Sequence, residues 1–570
     1  MVINPYAIAP LTAIVLFNTP MKCRVRCTVC GQHGAEDIVF QFDEPTSEHR
    51  IPIVGLYPNV KNRIILELMG DVERKKQLFI TTLPVKKELN NVVKNVISLK
   101  PSSVQFIYVS GGFAQESYAF DPLGNIRFYF GKKVKFYGTH MLSNGHFLFP
   151  EYSIANPTLN NPHANVFHEV DMMGRVYRTY MVEKGIHHWA TEKEKGGNLL
   201  ITSSTLNRTL GMENSVIELD RTTGEVVREL DLNQCFDITY RNRHDWAHIN
   251  SIQYLPLEDA VILSLRNLHS IVKIHWESQK LEWILCNPKF WEQTEMKDKV
   301  LCPTGNIESW FYQQHAAEIV CQNGHKKEIM LFDNHIATRR PVDYFDETSE
   351  SFVMFFIIDE KNRTVTLKKR IPTKKSNIRS NAVYMKDKNR LFGMSAALSK
   401  RTDEYHGMIE EFDFDTEELI RSYAVKPDYF TAYPVIFNHR EMSKPLELDI
   451  PYEVGKVAVL NKVSRSQAKS LGWNEDADIA DKSYYKTRIL NHLLLIREKD
   501  NEIRKVFAVG SNHIYYMDKD QTIQYDPEKF ANMRYYLAFP LDQCAPDKYV
   551  FYLKTNENLY QIKDIIEILE

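Results

Sequence analysis

Short runs in which apolar and polar residues alternate, separated by turn-forming residues, recur along most of the chain. A period of two over four to eight residues is typical of half-buried strands. The first such runs are LTAIVLFNT, KCRVRCTV, DIVFQFD, RIILELMG and QLFITTL. The pattern predicts an all-β protein that begins with a small antiparallel β-sandwich at residues 1–92.

A longer repeat begins near residue 101. Each copy has a polar opening residue, a strand, an Asn-Gly, Gly-Gly or acidic turn, a strongly apolar strand and two closing strands. Four strands per repeat predict a β-propeller in which each copy is one blade. Five copies and a partial one predict six blades over residues 101–440, and residues 441–570 either close the ring or form a C-terminal extension. The copies lie at 105–130 (partial), 139–182, 187–232, 244–286, 314–371 and 380–425.

One hairpin of this repeat carries candidate chemistry. The runs INSIQYL and AVILSLR flank a turn-like PLED at Pro256–Asp259, so they read as two antiparallel strands. Pairing about Leu257 would place His248 opposite Arg266. A guanidinium beside an imidazole discourages its protonation, which suits a site that binds an oxyanion and needs a neutral nucleophile.

Several histidines occupy equivalent positions in successive repeats. Each stands just before the first strand of its copy, so a propeller would bring them to the same end of the central channel. A hairpin with its turn at Asn323-Gly324 would also bring Asp333 and Asn334 close to His315. The alternative is a non-catalytic propeller that binds a partner and uses these residues as structural hydrogen-bonding groups. The histidines are His140, His188, His248 and His315.

Charge and hydropathy exclude some classes of partner. The 71 basic and 73 acidic residues nearly balance, which predicts neither a nucleic-acid nor an anionic-membrane partner. The apolar run at the N-terminus is broken by Pro5, Pro10 and Asn18, and it lacks the charged region and cleavage motif of a secretory signal. We therefore expect a cytoplasmic protein, or an exported one if this chain is a mature form.

Three of the eight cysteines form a C-x3-C-x2-C motif, Cys23, Cys27 and Cys30. Such spacing can hold an iron–sulfur cluster. Here it lies in an alternating β-branched stretch that places Cys23 and Cys27 on one face and Cys30 on the other, so a buried strand is the favoured interpretation. Cysteines without an evident pairing scheme fit a reducing compartment.

A ring of histidines first suggests zinc or non-haem iron, as in a metal-dependent lyase or hydrolase. The fixed cation of Arg266 opposes a metal ion, and no carboxylate ligand is evident in the repeats. A metal-free site with these residues suits transfer of a phosphoryl or sulfuryl group. No G-x-x-x-x-G-K-[ST] loop occurs, which disfavours a nucleotide donor. We expect neither a metal nor a cofactor.

Specific stretches resemble a known family. They are DWAHINSIQYLPLEDAVILSLRNLHSIVKIHWESQKLEWIL (245–285), QQHAAEIV, LFDN, NPYAIAPLTA (4–13) and IPIVGLYP (51–58). On these residues the chain resembles, over roughly residues 1–425, the bacterial arylsulfate sulfotransferases that do not use phosphoadenosine phosphosulfate. The resemblance implies a β-sandwich followed by a six-bladed propeller. It also implies ping-pong transfer of a sulfuryl group from a phenolic sulfate ester to an acceptor phenol through a sulfohistidine, by a homodimer.

The resemblance also assigns roles. The histidine of QQHAAEIV, His315, corresponds to the nucleophile, and His248 and Arg266 should bind the sulfuryl oxygens. The remaining family histidine corresponds to His188, with His187 as the neighbouring candidate. Weaker candidates for substrate contact are His140, Asn250 and Asn334.

One region departs from the family pattern. Periplasmic members carry an export signal and a short disulfide loop before the nucleophile. The corresponding stretch here, LCPTGNIESWFYQQH, has only Cys302. This departure agrees with the expected cytoplasmic location.

Overall fold

The structure is a computed structural model, and strands make up most of it. No helix in the part that it describes is both long and apolar enough to cross a membrane. The described residues are 1–6, 8–70, 74–112, 114–134, 137–150, 164–204, 212–236, 245–305, 307–400, 404–437, 442, 460–480, 485–490, 493–498, 502–518 and 535–568.

The N-terminal region forms one antiparallel sheet. Its second strand is long enough to pair with the third along most of its length and with the fourth at its end. LTAIVLFNT and KCRVRCTV, predicted as separate strands, are therefore one strand. The five strands are β1 (Val2–Ile3), β2 (Ala13–Val29), β3 (Ile38–Ile53), β4 (Lys61–Met69) and β5 (Arg74–Thr81).

Strands β6 to β31 form sheets of four or five strands. In chain order the first four strands are β6 (Val93–Ser98), β7 (Phe106–Gly111), β8 (Glu116–Phe120) and β9 (Ile126–Lys133). Strands β7, β8 and β9 belong to one sheet, whereas β6 belongs to a later one. The next two sheets are β10–β13 (His140–Met141, Phe147–Pro150, Ala164–Val170, Val176–Ile186) and β14–β17 (Ala190–Glu192, Leu199–Ser203, Ser215–Leu219, Val226–Asp231). A short helix α1 (Leu232–Cys235) follows.

The succeeding strands continue the same pattern. They are β18–β21 (Ile249–Leu255, Ala260–Leu265, Ser270–His275, Leu281–Leu285) and β22–β26 (Cys302–Pro303, His315–Asn323, Lys326–Asp333, Glu350–Asp359, Thr364–Lys374). After them come β27–β30 (Asn381–Met385, Arg390–Ser395, Gly407–Asp413, Leu419–Val425) and β31 (Tyr429–Val435).

The chain ends of this region are joined by strand pairing. β31 pairs with β7 of the sheet β7–β8–β9, so the last strand completes the first sheet. The first strands of successive sheets, from β10 through β14, β18, β23 and β27 to β31, contact one another. The prediction of an all-β, propeller-like architecture is confirmed. The described residues hold six of these sheets, and six blades for the whole chain stays a prediction.

Strands lie next to both predicted limits of the propeller region. The polar stretch after the first domain has a 3₁₀ turn at Lys87–Leu89, but residues 93–98 form β6, the outer strand that pairs with β30. The described strands after residue 460 pair only among themselves, in sheets of six and three strands. The predicted limits 1–92, 101–440 and 441–570 stay predictions. The last strands are β32–β40 (Asn461–Val463, Asp478–Ile479, Tyr485–Leu490, Leu493–Glu498, Lys505–Val509, Ile514–Asp518, Tyr535–Pro540, Asp547–Lys554, Leu559–Ile568), with helix α2 (Arg465–Ser470) between β32 and β33.

The β18–β19 hairpin has the predicted register at its open end. A 3₁₀ turn at Pro256–Glu258 joins the strands, and Ile249 pairs with Leu265. The backbone N–H of Arg266 donates to the His248 carbonyl oxygen at 3.1 Å. The prediction that His248 and Arg266 lie opposite each other is confirmed.

A buried arginine links the N-terminal sheet to the propeller. Arg127 of β9 donates from Nε to the Gly55 carbonyl oxygen at 2.8 Å and from one terminal nitrogen to the Tyr57 hydroxyl at 2.8 Å. The same nitrogen lies 3.1 Å from Asp121 Oδ2. The guanidinium also stacks 3.7 Å from the centre of the Tyr57 ring. This group therefore holds together two parts of the chain that are far apart in sequence.

Replacement of Arg127 by alanine should destabilise the protein strongly. It would leave Asp121 as a buried charge without its partner, which costs about 3 kcal/mol or more in unfolding free energy. Chemical denaturation followed by intrinsic fluorescence measures this loss. Arg26→Ala, which removes an exposed arginine 4.0 Å from Glu67, is the matched control and should change stability by less than about 1 kcal/mol. Equal effects of both changes would contradict the linking role of Arg127.

Candidate active site

Three of the predicted histidines stand where their sheets begin, and the backbone at or near each of them is in an unusual conformation. His188 and His248 have φ angles of 24° and 56°, and the neighbours of His315, Gln313 and Ala316, have φ angles of 49° and 51°. Residues with side chains adopt positive φ uncommonly, and such strain is concentrated at functional sites. Where these strands begin, the backbone therefore gives the imidazoles an orientation that extended backbone would not give them.

His188 and His248 belong to a cluster with two carboxylates. Their ring centres are 4.5 Å apart. Glu213 Oε2 lies 2.7 Å from His248 Nδ1 and 3.6 Å from His188 Nδ1, and Asp245 Oδ2 lies 2.9 Å from His248 Nδ1. We call these four residues the carboxylate–imidazole cluster. It brings hydrogen-bond donors, acceptors and charges together around the buried side chain of Glu213.

The pKa of His248 is raised to about 9, unlike those of its neighbours. Burial alone would lower the pKa of His248, but the charges of Glu213 and Asp245 and their hydrogen bonds outweigh it. The pKa of His188 is well below its ordinary value, mainly through burial, and the nearby imidazoles add to this while Glu213 opposes it. At neutral pH the cluster therefore contains one charged imidazole and one neutral one.

The hydrogen bond between His315 and Asn334 determines the tautomer of His315. Asn334 Oδ1 lies 2.6 Å from His315 Nδ1, as the predicted fold about Asn323-Gly324 requires. The Asn334 amide nitrogen faces two backbone carbonyl oxygens, those of Ser376 at 3.0 Å and Arg379 at 3.3 Å. Since that nitrogen must donate to them, the amide oxygen faces His315 and accepts from Nδ1–H. The lone pair of the neutral ring is then on Nε2.

Arg266 is the buried cation of the site. Burial lowers its pKa to about 10, so the guanidinium remains charged at neutral pH. Its Nε is buried and has no hydrogen-bond partner among the residues that the structure describes. The pKa of His315 lies well below its ordinary value, first because of burial and then because of the Arg266 charge. The expectation that Arg266 keeps the imidazole beside it uncharged is wrong for His248, because the carboxylates of Glu213 and Asp245 raise its pKa. The neutral imidazole that the Arg266 charge favours is that of His315.

Hydrogen bonds to the neighbouring sheet hold the stretch before His315. Gln314 Nε2 donates to Ser264 Oγ at 3.0 Å and to the Ser270 carbonyl oxygen at 2.9 Å. Asn250 Nδ2 donates to the Gln314 carbonyl oxygen at 2.7 Å. Asn250, predicted as a weaker substrate contact, therefore supports the backbone next to His315.

The two remaining predicted histidines differ in their surroundings. His187 Nδ1 lies 3.1 Å from His188 Nδ1, and its Nε2 lies 2.7 Å from the Ser203 carbonyl oxygen. His187 is thus a neighbour of the cluster and holds His188. His140 is buried between the rings of Trp189 and Phe430, and burial lowers its pKa to about 4.

No carboxylate that could act as a ligand beside the histidines is evident from the sequence, and the structure places two there, Glu213 and Asp245. Glu213 precedes the third strand of its sheet, away from the equivalent positions that the repeats align. Asp245 stands three residues before His248 in the run HDWAH, which is the one local signal that could have revealed it.

Two sets of side chains could approach a metal ion, His187 with His188 and Glu213, and Asp245 with His248 and Glu213. The same atoms are already matched as donors and acceptors, and Glu213 Oε1 accepts from the Tyr137 hydroxyl at 2.7 Å. The nearby guanidinium of Arg266 also opposes a second cation. The donor set fits a hydrogen-bonded network, and we assign no metal to it.

The cysteines form no comparable group. All eight are free thiols, and Cys302 is exposed. Cys23 and Cys27 lie on β2, as predicted, and Cys30 follows it. The groups of potential metal ligands found among the described residues contain no cysteine.

Comparison with known proteins identifies the family. The family described as "Arylsulfotransferase (ASST)" matches residues 84–433, and its "Arylsulfotransferase Ig-like domain" matches residues 1–85. Since the first match covers more than half of the chain, this protein belongs to the arylsulfotransferase family. The predicted resemblance is confirmed, as is the prediction of an aryl-sulfate sulfotransferase enzyme that acts on aryl sulfates and phenols. The Ig-like domain agrees with the predicted β-sandwich.

Individual relatives are more distant. Arylsulfate sulfotransferase AssT of Lelliottia amnigena is 23% identical, over 73% of this chain and 88% of its own. AssT of Escherichia coli O6:H1 (strain CFT073) is 22% identical with the same coverage of both chains. Among solved structures, the periplasmic gluconolactonase PpgL of Pseudomonas aeruginosa is 9% identical with a TM-score of 0.34, over 59% of this chain and 100% of its own. A likeness as weak as the last carries no argument.

Replacement of Asn334 by alanine should slow donor cleavage without unfolding the protein. The change removes the acceptor that orients His315 Nδ1–H, and misplacement of a reacting group by about 1 Å can cost about 100-fold in rate. Release of phenol from an aryl sulfate under single-turnover conditions measures it. Asn323→Ala, at the exposed far end of the same hairpin, is the control and should retain the wild-type rate. An unchanged rate for Asn334→Ala would contradict the assigned tautomer.

Proposed function

We propose that this protein moves a sulfuryl group from a phenolic sulfate ester to an acceptor phenol in a ping-pong reaction through a sulfohistidine at His315. The observation that carries this proposal is the contact of His315 Nδ1 with Asn334, which leaves the Nε2 lone pair available as a nucleophile. The low pKa of His315 supports it, because the ring stays neutral at physiological pH.

In the first half-reaction, His315 Nε2 attacks the sulfur while the bond from sulfur to the aryl oxygen breaks. Arg266 binds the non-bridging oxygens, since its buried and unpartnered Nε–H is a donor that an anionic group would satisfy. His248, protonated at neutral pH, donates a proton to the departing aryl oxygen. The products are a free phenol, sulfated His315 and neutral His248.

In the second half-reaction, the acceptor phenol attacks the sulfur of the sulfohistidine. Its proton passes to His248, which returns to the charged form, and His315 is released with its lone pair on Nε2. His188 and Arg266 bind the sulfuryl oxygens in both directions. His187 orients His188, while His140, Asn250 and Asn334 form the surrounding wall and support.

Location and assembly are part of the proposal. Eight free thiols fit a reducing compartment, so we propose that the enzyme is cytoplasmic. The family resemblance supports a homodimer, which size-exclusion chromatography with light scattering tests. No metal or cofactor is needed by the steps above.

The intact mass of the purified protein should increase by one sulfuryl group after brief exposure to an aryl sulfate, with chelator present and no acceptor. The physical reason is that His315 holds the group until a phenol removes it. His315→Asn should show no increase, and addition of a phenol should restore the original mass of the wild-type protein. No adduct and no released phenol across several donors would overturn the proposal, and activity that chelation abolishes would instead support a metal-dependent lyase or hydrolase.

The rate of donor cleavage should fall as the pH rises through about 9, because His248 loses the proton that it gives to the leaving oxygen. Below this value the acid form is present, so the rate should be retained. His315 should not limit the rate until the pH is well below 6.5, where its imidazole gains a proton. Single-turnover rates with phenyl sulfate between pH 5 and about 10 test both limbs, and a rate that rises steadily with pH would contradict the role of His248.

A further inference from the structure

Glu213 is a buried carboxylate on which three side chains of the site converge. The Tyr137 hydroxyl donates to Oε1 at 2.7 Å, while Oε2 lies 2.7 Å from His248 Nδ1 and 3.6 Å from His188 Nδ1. A carboxylate taken out of water is costly unless it is paired and hydrogen-bonded. Buried ionisable groups with specific charged or hydrogen-bonding partners are concentrated at functional sites, so Glu213 is a candidate for a role in the reaction.

The backbone fixes Glu213 relative to His248. The N–H of Ile249, the residue after His248, donates to the Glu213 carbonyl oxygen at 2.9 Å. The N–H of Glu213 donates to Ser204 Oγ at 2.7 Å, and its φ angle is 55°. Glu213 is therefore attached both to the start of β18 and to the end of β15. These bonds fix the backbone of Glu213, and the hydrogen bond from the Tyr137 hydroxyl holds its carboxylate beside His248.

We infer that Glu213 is a positioning residue for sulfuryl transfer, which holds His248 by Nδ1 so that Nε2 can donate a proton to the leaving phenolate and take one from the acceptor phenol. This inference rests on the function proposed above. With Nδ1–H directed at a carboxylate, the proton that is exchanged with substrate must be the one on Nε2. Glu213 stays ionised throughout and compensates the charge that His248 gains and loses.

The bonds and protons balance in both half-reactions. In the first, the sulfur–oxygen bond breaks, the sulfur–nitrogen bond to His315 forms, and the Nε2 proton of His248 moves to the aryl oxygen. In the second, the acceptor hydroxyl proton moves to His248 Nε2 while the new sulfur–oxygen bond forms. No oxidant, reductant or further reactant is required.

Other charged and titratable groups face His248 and must be considered. Asp245 is a second carboxylate on Nδ1, but its side chain is 31% exposed whereas that of Glu213 is 4% exposed, so solvent screens Asp245 more. His188 and His315 interact unfavourably with the charge on His248, and Tyr137 stays neutral because burial raises its pKa well above the usual value. Glu213 is thus the most buried charge that favours the acid form.

The test uses donors whose phenols leave with different ease, compared between the wild-type protein and Glu213→Gln. Phenyl sulfate, whose phenol has a pKa of about 10, needs a proton at the leaving oxygen, whereas 4-nitrophenyl sulfate needs little help. We expect the cleavage rate of phenyl sulfate to fall by about 100-fold and that of 4-nitrophenyl sulfate by less than about tenfold. The fall in cleavage rate at high pH should also begin at a lower pH than in the wild-type protein, and KM should change little.

A merely structural role would give a different result. Equal loss with both donors, or an unshifted pH limb, would overturn the inference even if the mass experiment still shows sulfated His315. Absence of the adduct in the wild-type protein would instead remove the proposed function. The two failures are therefore distinguishable.

Two further variants guard against misfolding. Glu410→Gln changes another buried glutamate, on β29, whose Oε2 accepts from the Lys374 N–H at 3.0 Å. It is the matched control and should keep the wild-type rates with both donors. Tyr137→Phe leaves the Glu213 charge but removes a hydrogen bond that orients it. It should reproduce the selective loss with phenyl sulfate at a few-fold magnitude, and an equal loss with both donors would again overturn the inference.

Discussion

Two buried charges of opposite sign, the Arg266 guanidinium and the Glu213 carboxylate, determine the state of the imidazoles around them. Arg266 adds to burial in keeping His315 neutral, while Glu213 together with Asp245 overcomes burial and keeps His248 charged. Between buried groups such interactions act with little screening. A nucleophile and an acid of the same residue type can therefore coexist within one small volume.

The backbone makes this separation possible. The β18–β19 hairpin brings Arg266 beside His248, and the bond from the Ile249 N–H to the Glu213 carbonyl oxygen attaches the carboxylate to the same strand. Positive φ angles at His188 and His248 are a local cost that the surrounding sheets offset. The sheets thus serve as a rigid frame, and the residue at the start of the first strand of a sheet places its side chain in the site.

Much of the frame was predictable from local pattern. Alternation, repeat spacing and the PLED turn were sufficient for the all-β class, the propeller architecture and the His248–Arg266 register, and a symmetric fold about Asn323-Gly324 correctly placed Asn334 at His315. The prediction was wrong where neighbours in space decide the outcome. LTAIVLFNT and KCRVRCTV form the single strand β2, because both runs pair with β3.

By itself, the sequence determined most of the strands, their order and the repeat positions that hold the histidines, because these depend on a period of two and on turn residues that act over a few positions. Only the tertiary structure decided which imidazole is charged. Glu213 lies outside the repeat positions, and its effect depends on a distance of 2.7 Å to an atom that is 35 residues away along the chain. Proton affinity responds to such distances and to burial, and neither can be obtained from the pattern of one chain.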